Sequence, residues 1–356
     1  MWKEGRAVKR QNAHPNKAVL CLFTYPSSKI FVSGATDGTA IIWHFSASLI
    51  IQKIEEFSTY TGKDANPPPK FQIQSVCLSK QSLIIGNRAG EILRFPFSVS
   101  GAKQKAPLGE LQSSLLLASF HHERINSISF STSSKRLYLM TEAEGEYGTF
   151  AVINVTDSLK VFEEKVEFKY PLVRMLACKL SPRIFLVLKG GVTVYNYTSD
   201  LKDERNSRLQ RRKEWMKCES GIKAAILSSR ENYLAVLIAP SSLQNAKIEI
   251  YNLNSPDAQF YQLYKVEENI PASIEVIDFC VDHDYLVYQS PDEEQTIIDM
   301  LTCEKVKAGS VENNLEWNED AKKTSPSVRD ISIFYSEENR LMKVVQAMNT
   351  SIIASD

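Results

Sequence analysis

The apolar residues of this chain fall into short runs separated by polar turns, and the same succession of runs recurs along the sequence. Each recurrence has an apolar run that ends in a small or polar residue, a second apolar run, a short turn and a third run that ends in aromatic residues. Short runs rich in Ile, Val, Tyr and Phe, bounded by Gly, Pro, Asn, Asp and Ser, are typical of β-strands. The pattern therefore predicts an all-β chain built from one repeated unit.

The repeated unit has the length expected of a propeller blade. Its spacing is about 50 residues, which matches a four-stranded blade of about 40–45 residues whose loops are somewhat longer than usual. A lone four-stranded sheet cannot bury both of its faces, whereas sheets stacked around an axis bury one another. We therefore expect residues 1–356 to form a single β-propeller of about seven four-stranded blades, with cores near residues 18–45, 73–97, 125–155, 173–197, 222–253, 274–300 and 328–356.

The last of these units, residues 328–356, is expected to end before its third strand. An unfinished sheet would leave a strand edge unpaired. We therefore expect the last blade either to stay incomplete or to be closed by an N-terminal strand from residues 1–11.

Charge and hydropathy narrow the function classes. Lys and Arg together number 42, as do Asp and Glu, so the formal net charge is zero and gives no sign of a nucleic-acid partner. The charged N-terminus lacks the apolar core of a signal peptide, and the apolar runs are far shorter than the roughly 20 residues of a membrane helix. We expect a cytoplasmic protein without a membrane partner, whose six cysteines are buried free thiols.

Motifs for catalysis are missing from the sequence. It contains no GxSxG, Walker A, HExxH, HRD or DFG motif. The adjacent His121 and His122 lack the further ligands that a metal site needs. We therefore expect no enzyme, no catalytic residue, no metal, no cofactor and no small-molecule substrate, and we regard a site in the central channel of a propeller as the least favoured alternative.

The first unit has the residue order of a WD-type blade. In such a blade a histidine before the first strand contacts a turn aspartate and a Ser or Thr hydroxyl of the second strand, and that hydroxyl meets the indole of a tryptophan on the third strand. His14, Ser33, Asp37 and Trp43 stand in this order. Because a buried imidazole and a buried indole need hydrogen-bond partners, we interpret the four residues as a structural network rather than an acid–base pair.

A charged run over residues 201–217 is predicted to be a loop between blades. One interpretation is an ordinary solvated loop, since acidic residues are interspersed in it. The other is an electrostatic contact with the acidic tails of tubulin. That contact would use the basic residues of the run: Arg205, Arg208, Arg211, Arg212 and Lys213.

The order of the units resembles the second β-propeller of the echinoderm microtubule-associated protein-like family. The resemblance rests on NAHPNKAVLCLF and IFVSGATDGTAIIWHF in the first unit, SVCLSKQSLIIGNRAGEIL in the second, GIKAAILSSRENYLAVLIAPSSLQNAKIEIYNL in the fifth, IEVIDFCVDHDYLVYQSPDEEQTIIDMLTCEKV with LEW in the sixth, and DISIFYSEENRLMKVVQAMNTSIIASD in the seventh. This chain departs from the family pattern at Asn87, where threonine is usual, and at Phe279 and Asp299, where tryptophans are expected.

The resemblance implies a WD-repeat interaction module that associates with microtubules, the cytoskeleton and the cilium. Family members also carry an N-terminal coiled coil with a basic region, a HELP motif, a first propeller and a final blade, which have no counterpart here, and they bind microtubules partly through those regions. The alternative is a general WD-repeat scaffold subunit of a complex unrelated to microtubules, such as a ubiquitin ligase or a trafficking complex.

Overall fold

Every element that the computed structural model describes is a β-strand. The structure describes residues 14, 18–25, 30–44, 49–54, 72–79, 81–97, 115–120, 123–131, 135–143, 147–178, 180–198, 207–228, 230–241, 245–254, 262–270, 274, 277–279, 285–288, 296–300, 304–306, 328–336, 341–348 and 352–355. The predicted all-β class is confirmed over these residues.

The strands form sheets in chain order. The first sheet contains β1 Val19–Tyr25, β2 Ile30–Ala35, β3 Ala40–His44 and β4 Leu49–Ile54, and the second contains β5 Ile73–Leu78, β6 Ser82–Asn87, β7 Glu91–Pro96 and β8 Leu115–Ser119. The third contains β9 Arg124–Ser131, β10 Arg136–Glu142, β11 Tyr147–Asn154 and β12 Leu159–Glu167, and the fourth contains β13 Leu172–Ala177, β14 Arg183–Leu188, β15 Gly191–Thr198 and β16 Arg208–Lys217. The fifth contains β17 Ile222–Leu227, β18 Tyr233–Ile238, β19 Ala246–Asn252 and β20 Gln262–Ile270. The sixth contains β21 Ile277–Phe279, β22 Tyr285–Tyr288, β23 Thr296–Asp299 and β24 Lys305–Val306, and the seventh contains β25 Val328–Ser336, β26 Leu341–Met348 and β27 Ile352–Ser355.

Each sheet is an antiparallel meander, and the sheets follow one another around a common axis. The first strand of each sheet lies against the first strand of the next, from β1 and β5 through to β21 and β25. β25 and β26 of the seventh sheet also lie against β1. The first strands thus surround the axis, and the later strands of each sheet lie farther out, which is the arrangement of a β-propeller.

The sheets differ in how complete they are. The first five are blades of four strands, while the sixth is built from strands of only two to four residues. The prediction that the seventh unit ends before its third strand was wrong, because β27 pairs with β26. The proposed closing strand, residues 1–11, lies outside the described residues.

The first strands share one irregularity near their start, a single residue that the pairing register skips. This β-bulge occurs in six of the seven sheets, although the strands have different sequences. A bulge increases the local right-handed twist of a strand. The same bulge in the same place therefore gives successive sheets a similar twist. The skipped residues are Leu20, Gln74, Asn126, Val173, Lys223 and Arg329.

Apolar layers fill the space between consecutive sheets, and five such layers are described, from the first sheet to the sixth. Two second-strand glycines allow the first strand of the next sheet to approach closely. A Cβ atom on Gly34 would lie 2.5 Å from Cγ2 of Ile73, and one on Gly86 would lie 2.5 Å from Cγ2 of Ile125. Both isoleucines are fully buried. The glycines therefore set how closely these sheets pack.

Polar contacts also join the sheets. The guanidinium of Arg94 donates to the carbonyl of Val155 in the next sheet at 2.9 Å, and Arg183 donates to the carbonyl of Leu253 in the same way at 3.1 Å. The donors lie on different strands, β7 and β14, but both acceptors directly follow the third strand of the next sheet.

We predict that Gly86→Ala destabilises the protein by about 1–3 kcal/mol, because the added methyl group overpacks a filled interface. The gain of about 0.4–1 kcal/mol from a less flexible unfolded chain does not offset this. Urea unfolding followed by tryptophan fluorescence measures the change.

The control is a double-mutant cycle with Ile125→Ala, which removes Cγ2, the atom nearest to the new methyl group. Gly86→Ala should cost clearly less in the Ile125→Ala background than in the native protein. An equal cost in both backgrounds would show that the close approach of Gly86 to Ile125 does not determine the packing.

Candidate functional site

The four residues predicted to form a network in the first blade lie together. The Trp43 indole Nε1–H donates to Oγ of Ser33 at 2.9 Å, and Oγ of Ser33 lies 3.0 Å from Nε2 of His14. Nδ1 of His14 lies 3.3 Å from a carboxylate oxygen of Asp37. The imidazole is fully buried, and the Phe31 ring stacks on Trp43 with a centroid distance of 5.7 Å. The network thus ties the segment before β1 to β2, β3 and the turn between them.

Thr39 is a fifth member of this network that the sequence analysis missed. Its hydroxyl lies 2.7 Å from Nδ1 of His14 and donates to Asp37 at 2.7 Å, and its backbone N–H donates to the same carboxylate at 2.9 Å. The signal was present in the sequence, because an aspartate two residues before a threonine in a tight turn often accepts its backbone N–H.

Every polar atom that His14 meets in the network has a partner. The indole can only donate, so Ser33 accepts from Trp43. The Thr39 hydroxyl donates to Asp37, so it accepts from Nδ1 of His14. The second ring nitrogen, Nε2, contacts Oγ of Ser33. These contacts together hold the turn between β2 and β3.

The environment of Asp37 favours its ionised form. Burial raises the pKa of the carboxyl, but the hydrogen bonds from His14 and Thr39 outweigh this and hold the pKa below the ordinary value of 3.8. The side chain is 16% exposed, so these contacts are shielded from much of the solvent.

Other blades hold the corresponding region by different means. In the second blade the Asn87 amide donates to Glu91 at 2.7 Å and accepts the backbone N–H of Glu91 at 2.9 Å, beside Gly90 at a φ of 84°. In the third blade the buried carboxylate of Glu123 accepts the hydroxyl of Thr141. The side chain of Asn87 thus holds the second turn together with the backbone geometry of Gly90.

The charged run of residues 201–217 contains a strand rather than only a loop. Arg208–Lys217 forms β16, the outermost strand of the fourth blade, so the prediction of a loop between blades was wrong. The sequence pattern did not predict this strand, because an outermost strand is solvated and can carry many charges without an alternating apolar pattern.

The predicted basic residues are placed to different extents. Arg208 and Arg211 have exposed side chains on β16. Arg212 and Lys213 belong to the same strand, where only their backbone is described, and Arg205 lies outside the described residues. The structure thus puts four of the five predicted basic residues on β16, and the two whose side chains it describes are exposed.

A cavity of about 230 Å³ lies beside β16, between the third and fourth blades. Buried Leu186 and Leu188 of β14 form its apolar floor. Arg211 and Tyr195 line one side, and Tyr195 is opposite Arg211 in the strand register. The cavity therefore reaches from the core of the fourth blade to its exposed outer strand.

The turn between β12 and β13 forms the other side of the cavity through Glu167, Lys169 and Tyr170. The Tyr170 side chain is 40% exposed and lies over Gly190, where a Cβ atom would be 2.4 Å from its ring. The charged lining thus has two cations, Lys169 and Arg211, and one anion, Glu167. No sequence pattern indicates this set, because its members come from separate turns and strands.

Burial raises the pKa of the Tyr195 phenol, the charge of Arg211 partly opposes this, and the charge of Glu164 raises it further. The phenol consequently keeps its proton at neutral pH. It can donate a hydrogen bond to an acceptor in the cavity.

The described residues include no cluster of three or more His, Cys, Asp or Glu side chains that could hold a metal ion. His121 and His122 lie outside the described residues. Four free cysteines are described, of which Cys21, Cys77 and Cys178 are buried, and burial raises the pKa of the Cys178 thiol to about 12. No helix with the length and hydropathy of a membrane span occurs in the part of the chain that the structure describes.

We predict that Asp37→Asn destabilises the protein at pH 7 by about 1–3 kcal/mol, because it removes hydrogen bonds to a charged acceptor. A lowered carboxyl pKa gives stability that is fully present above the unfolded value of 3.8 and is lost as the pH falls through the folded value. The difference between the native protein and Asp37→Asn should therefore shrink as the pH falls below about 4. Urea unfolding between pH 3 and pH 7 measures it.

Asp157→Asn is the matched control, because Asp157 lies on an exposed turn of the third blade. It should change stability much less at pH 7. A stability difference for Asp37→Asn that stays constant down to pH 3 would contradict the ionised network.

Comparison with known protein families and curated proteins does not identify a family for this chain. No protein-family model matches the chain, and no curated protein matches it at a significant level. The meander sheets around one axis and the contacts of His14, Ser33, Asp37 and Trp43 are consistent with a WD40-like propeller.

Proposed function

We propose that the protein is a non-enzymatic interaction module that binds an acidic protein partner, with microtubules as the first candidate. The observation that carries the proposal is the basic strand β16, which presents the exposed side chains of Arg208 and Arg211 at the outer edge of a rigid blade. Propellers are typically scaffolds for protein interactions, since their stacked sheets hold surface loops and strands in fixed positions.

We also propose that residues 1–356 form one WD40-type propeller of seven blades. Six sheets of four strands and one of three follow in chain order, and the seventh lies against the first. The contact of β25 with β1 supports this proposal, because the inner strand of the first blade then has a neighbouring strand on each side.

The choice of microtubules rests on the resemblance to the echinoderm microtubule-associated protein-like family. The same resemblance supports a cytoplasmic location in which the protein associates with the cytoskeleton, including that of the cilium. A basic strand would attract the acidic tails of tubulin, and this attraction weakens as the salt concentration rises.

A second candidate is a general scaffold subunit of a complex unrelated to microtubules. The equal numbers of acidic and basic residues favour it, because a chain with zero net charge has no overall attraction to an acidic lattice. The two candidates differ in whether the basic strand determines binding.

Co-sedimentation of the full chain with microtubules over a salt series tests the first candidate. We expect pelleting at low salt that falls as salt rises, and about tenfold weaker binding for the charge-reversal variant Arg208→Glu with Arg211→Glu. The control is Lys135→Glu with Arg230→Glu, which changes the same number of exposed charges on other blades and should bind as the native protein does.

Absence of pelleting at low salt would remove the microtubule candidate. Equal losses for the β16 variant and its control would show that net charge, and not this strand, governs the interaction.

A further inference from the structure

The fifth blade has a position equivalent to this cavity, which lies between the fourth and fifth blades. Backbone hydrogen bonds align the two blades: Tyr197 N–H donates to the carbonyl of Pro182 in the fourth blade, and Leu253 N–H donates to that of Asn232 in the fifth. Counting back from these two residues, Tyr195 corresponds to Tyr251.

In the fifth blade this position is occupied by an internal ion cluster. The hydroxyl of Tyr251 donates to the carboxylate of Glu249 at 2.5 Å, and the ammonium of Lys247 contacts the same carboxylate at 2.6 Å. Trp215 of the fourth blade packs against Tyr251 with a centroid distance of 4.6 Å. One carboxylate is thus held by a phenol and a cation, next to an apolar wall.

The fourth blade keeps the donors but lacks the carboxylate. Thr193 stands at the position of Glu249, and Gly191 stands at the position of Lys247. The tyrosine is retained as Tyr195, and Arg211 supplies a cation from β16. Replacing a glutamate by threonine and a lysine by glycine shortens two side chains, which leaves space beside the phenol.

The charge of the cavity suits an added anion. The lining holds two cations, Lys169 and Arg211, and one anion, Glu167. The charge of Glu164 also acts on Tyr195. A carboxylate entering the cavity would meet one phenol and one guanidinium, and Glu249 is likewise held by one phenol and one cation, the ammonium of Lys247.

The size of the cavity indicates a side chain rather than a free ligand. Its volume of about 230 Å³ is below the roughly 300–1,000 Å³ of sites for drug-sized molecules and cofactors. The aliphatic floor of Leu186 and Leu188 can pack against the methylene groups of a glutamate.

We propose that this cavity binds a glutamate side chain of an acidic partner protein, in the position that Glu249 occupies in the fifth blade. The proposal rests on the proposed function, because it assigns the cavity to the same acidic partner that contacts β16. The glutamate carboxylate accepts from the Tyr195 hydroxyl and pairs with Arg211, while its methylene groups lie on the leucine floor.

A fluorescent ten-residue oligoglutamate is the probe, and an oligoglutamine of equal length reports binding without charge. Thr193→Glu places a carboxylate where Glu249 lies in the fifth blade and therefore fills the site from within. We expect it to lower oligoglutamate affinity at least about tenfold while the thermal unfolding midpoint stays at or above the native value, and we expect Tyr195→Phe and Arg211→Gln each to lower it about three- to tenfold.

Arg208 lies on the same strand but does not line the cavity, so Arg208→Gln measures the loss of oligoglutamate affinity that comes from charge alone. This loss should be smaller than the loss caused by Arg211→Gln. Native affinity in both Tyr195→Phe and Thr193→Glu would overturn the cavity site. So would equal losses for Arg208→Gln and Arg211→Gln.

Microtubule pelleting of the same variants separates the two proposals. Pelleting that persists in Thr193→Glu and Tyr195→Phe but falls with charge reversal on β16 would refute the cavity and support the proposed function. Oligoglutamate binding that depends on Tyr195, in a protein that does not pellet, would support the cavity and refute the microtubule partner.

Discussion

Burial of each sheet face by the neighbouring sheet is the constraint on which the rest of this structure depends. A four-stranded sheet with apolar residues on both faces is stable only between two others, so every blade needs a neighbour on each side. The fully buried residues of the second strands, such as Ile84 and Leu234, show this because they lie in the layers between blades. The contact of the seventh sheet with the first extends the same rule around the ring.

This constraint acts on the inner strands and leaves the turns free to differ. The bulge near the start of the first strand recurs in six sheets, because the inner strands must all have a similar twist. Three blades hold the turn between the second and third strands, or its surroundings, in three different ways: with a histidine network, an asparagine–glutamate pair or a glutamate–threonine contact. Packing therefore preserves the blade while the polar residues change.

In the outer part of the blades, the space beside one tyrosine of the third strand is either filled by neighbouring side chains or left open. Between the fourth and fifth blades Glu249 and Trp215 surround Tyr251. Between the third and fourth blades the shorter Thr193 and the absent side chain of Gly191 leave a cavity that reaches Arg211. A change of two side chains can thus open a cavity without a change of the blade.

The sequence by itself determined the strand repeat, the all-β class and the members His14, Ser33, Asp37 and Trp43 of the first-blade network, because these depend on short-range patterns and on fixed spacings. It did not reveal β16, since a solvated outer strand can be highly charged and shows no apolar alternation. It also missed the third strand of the last sheet and the hydroxyl of Thr39. Only the tertiary structure decided where the basic strand lies and that Tyr170, Tyr195 and Arg211 share one cavity, because residues far apart in the chain meet there only when one blade is laid against the next.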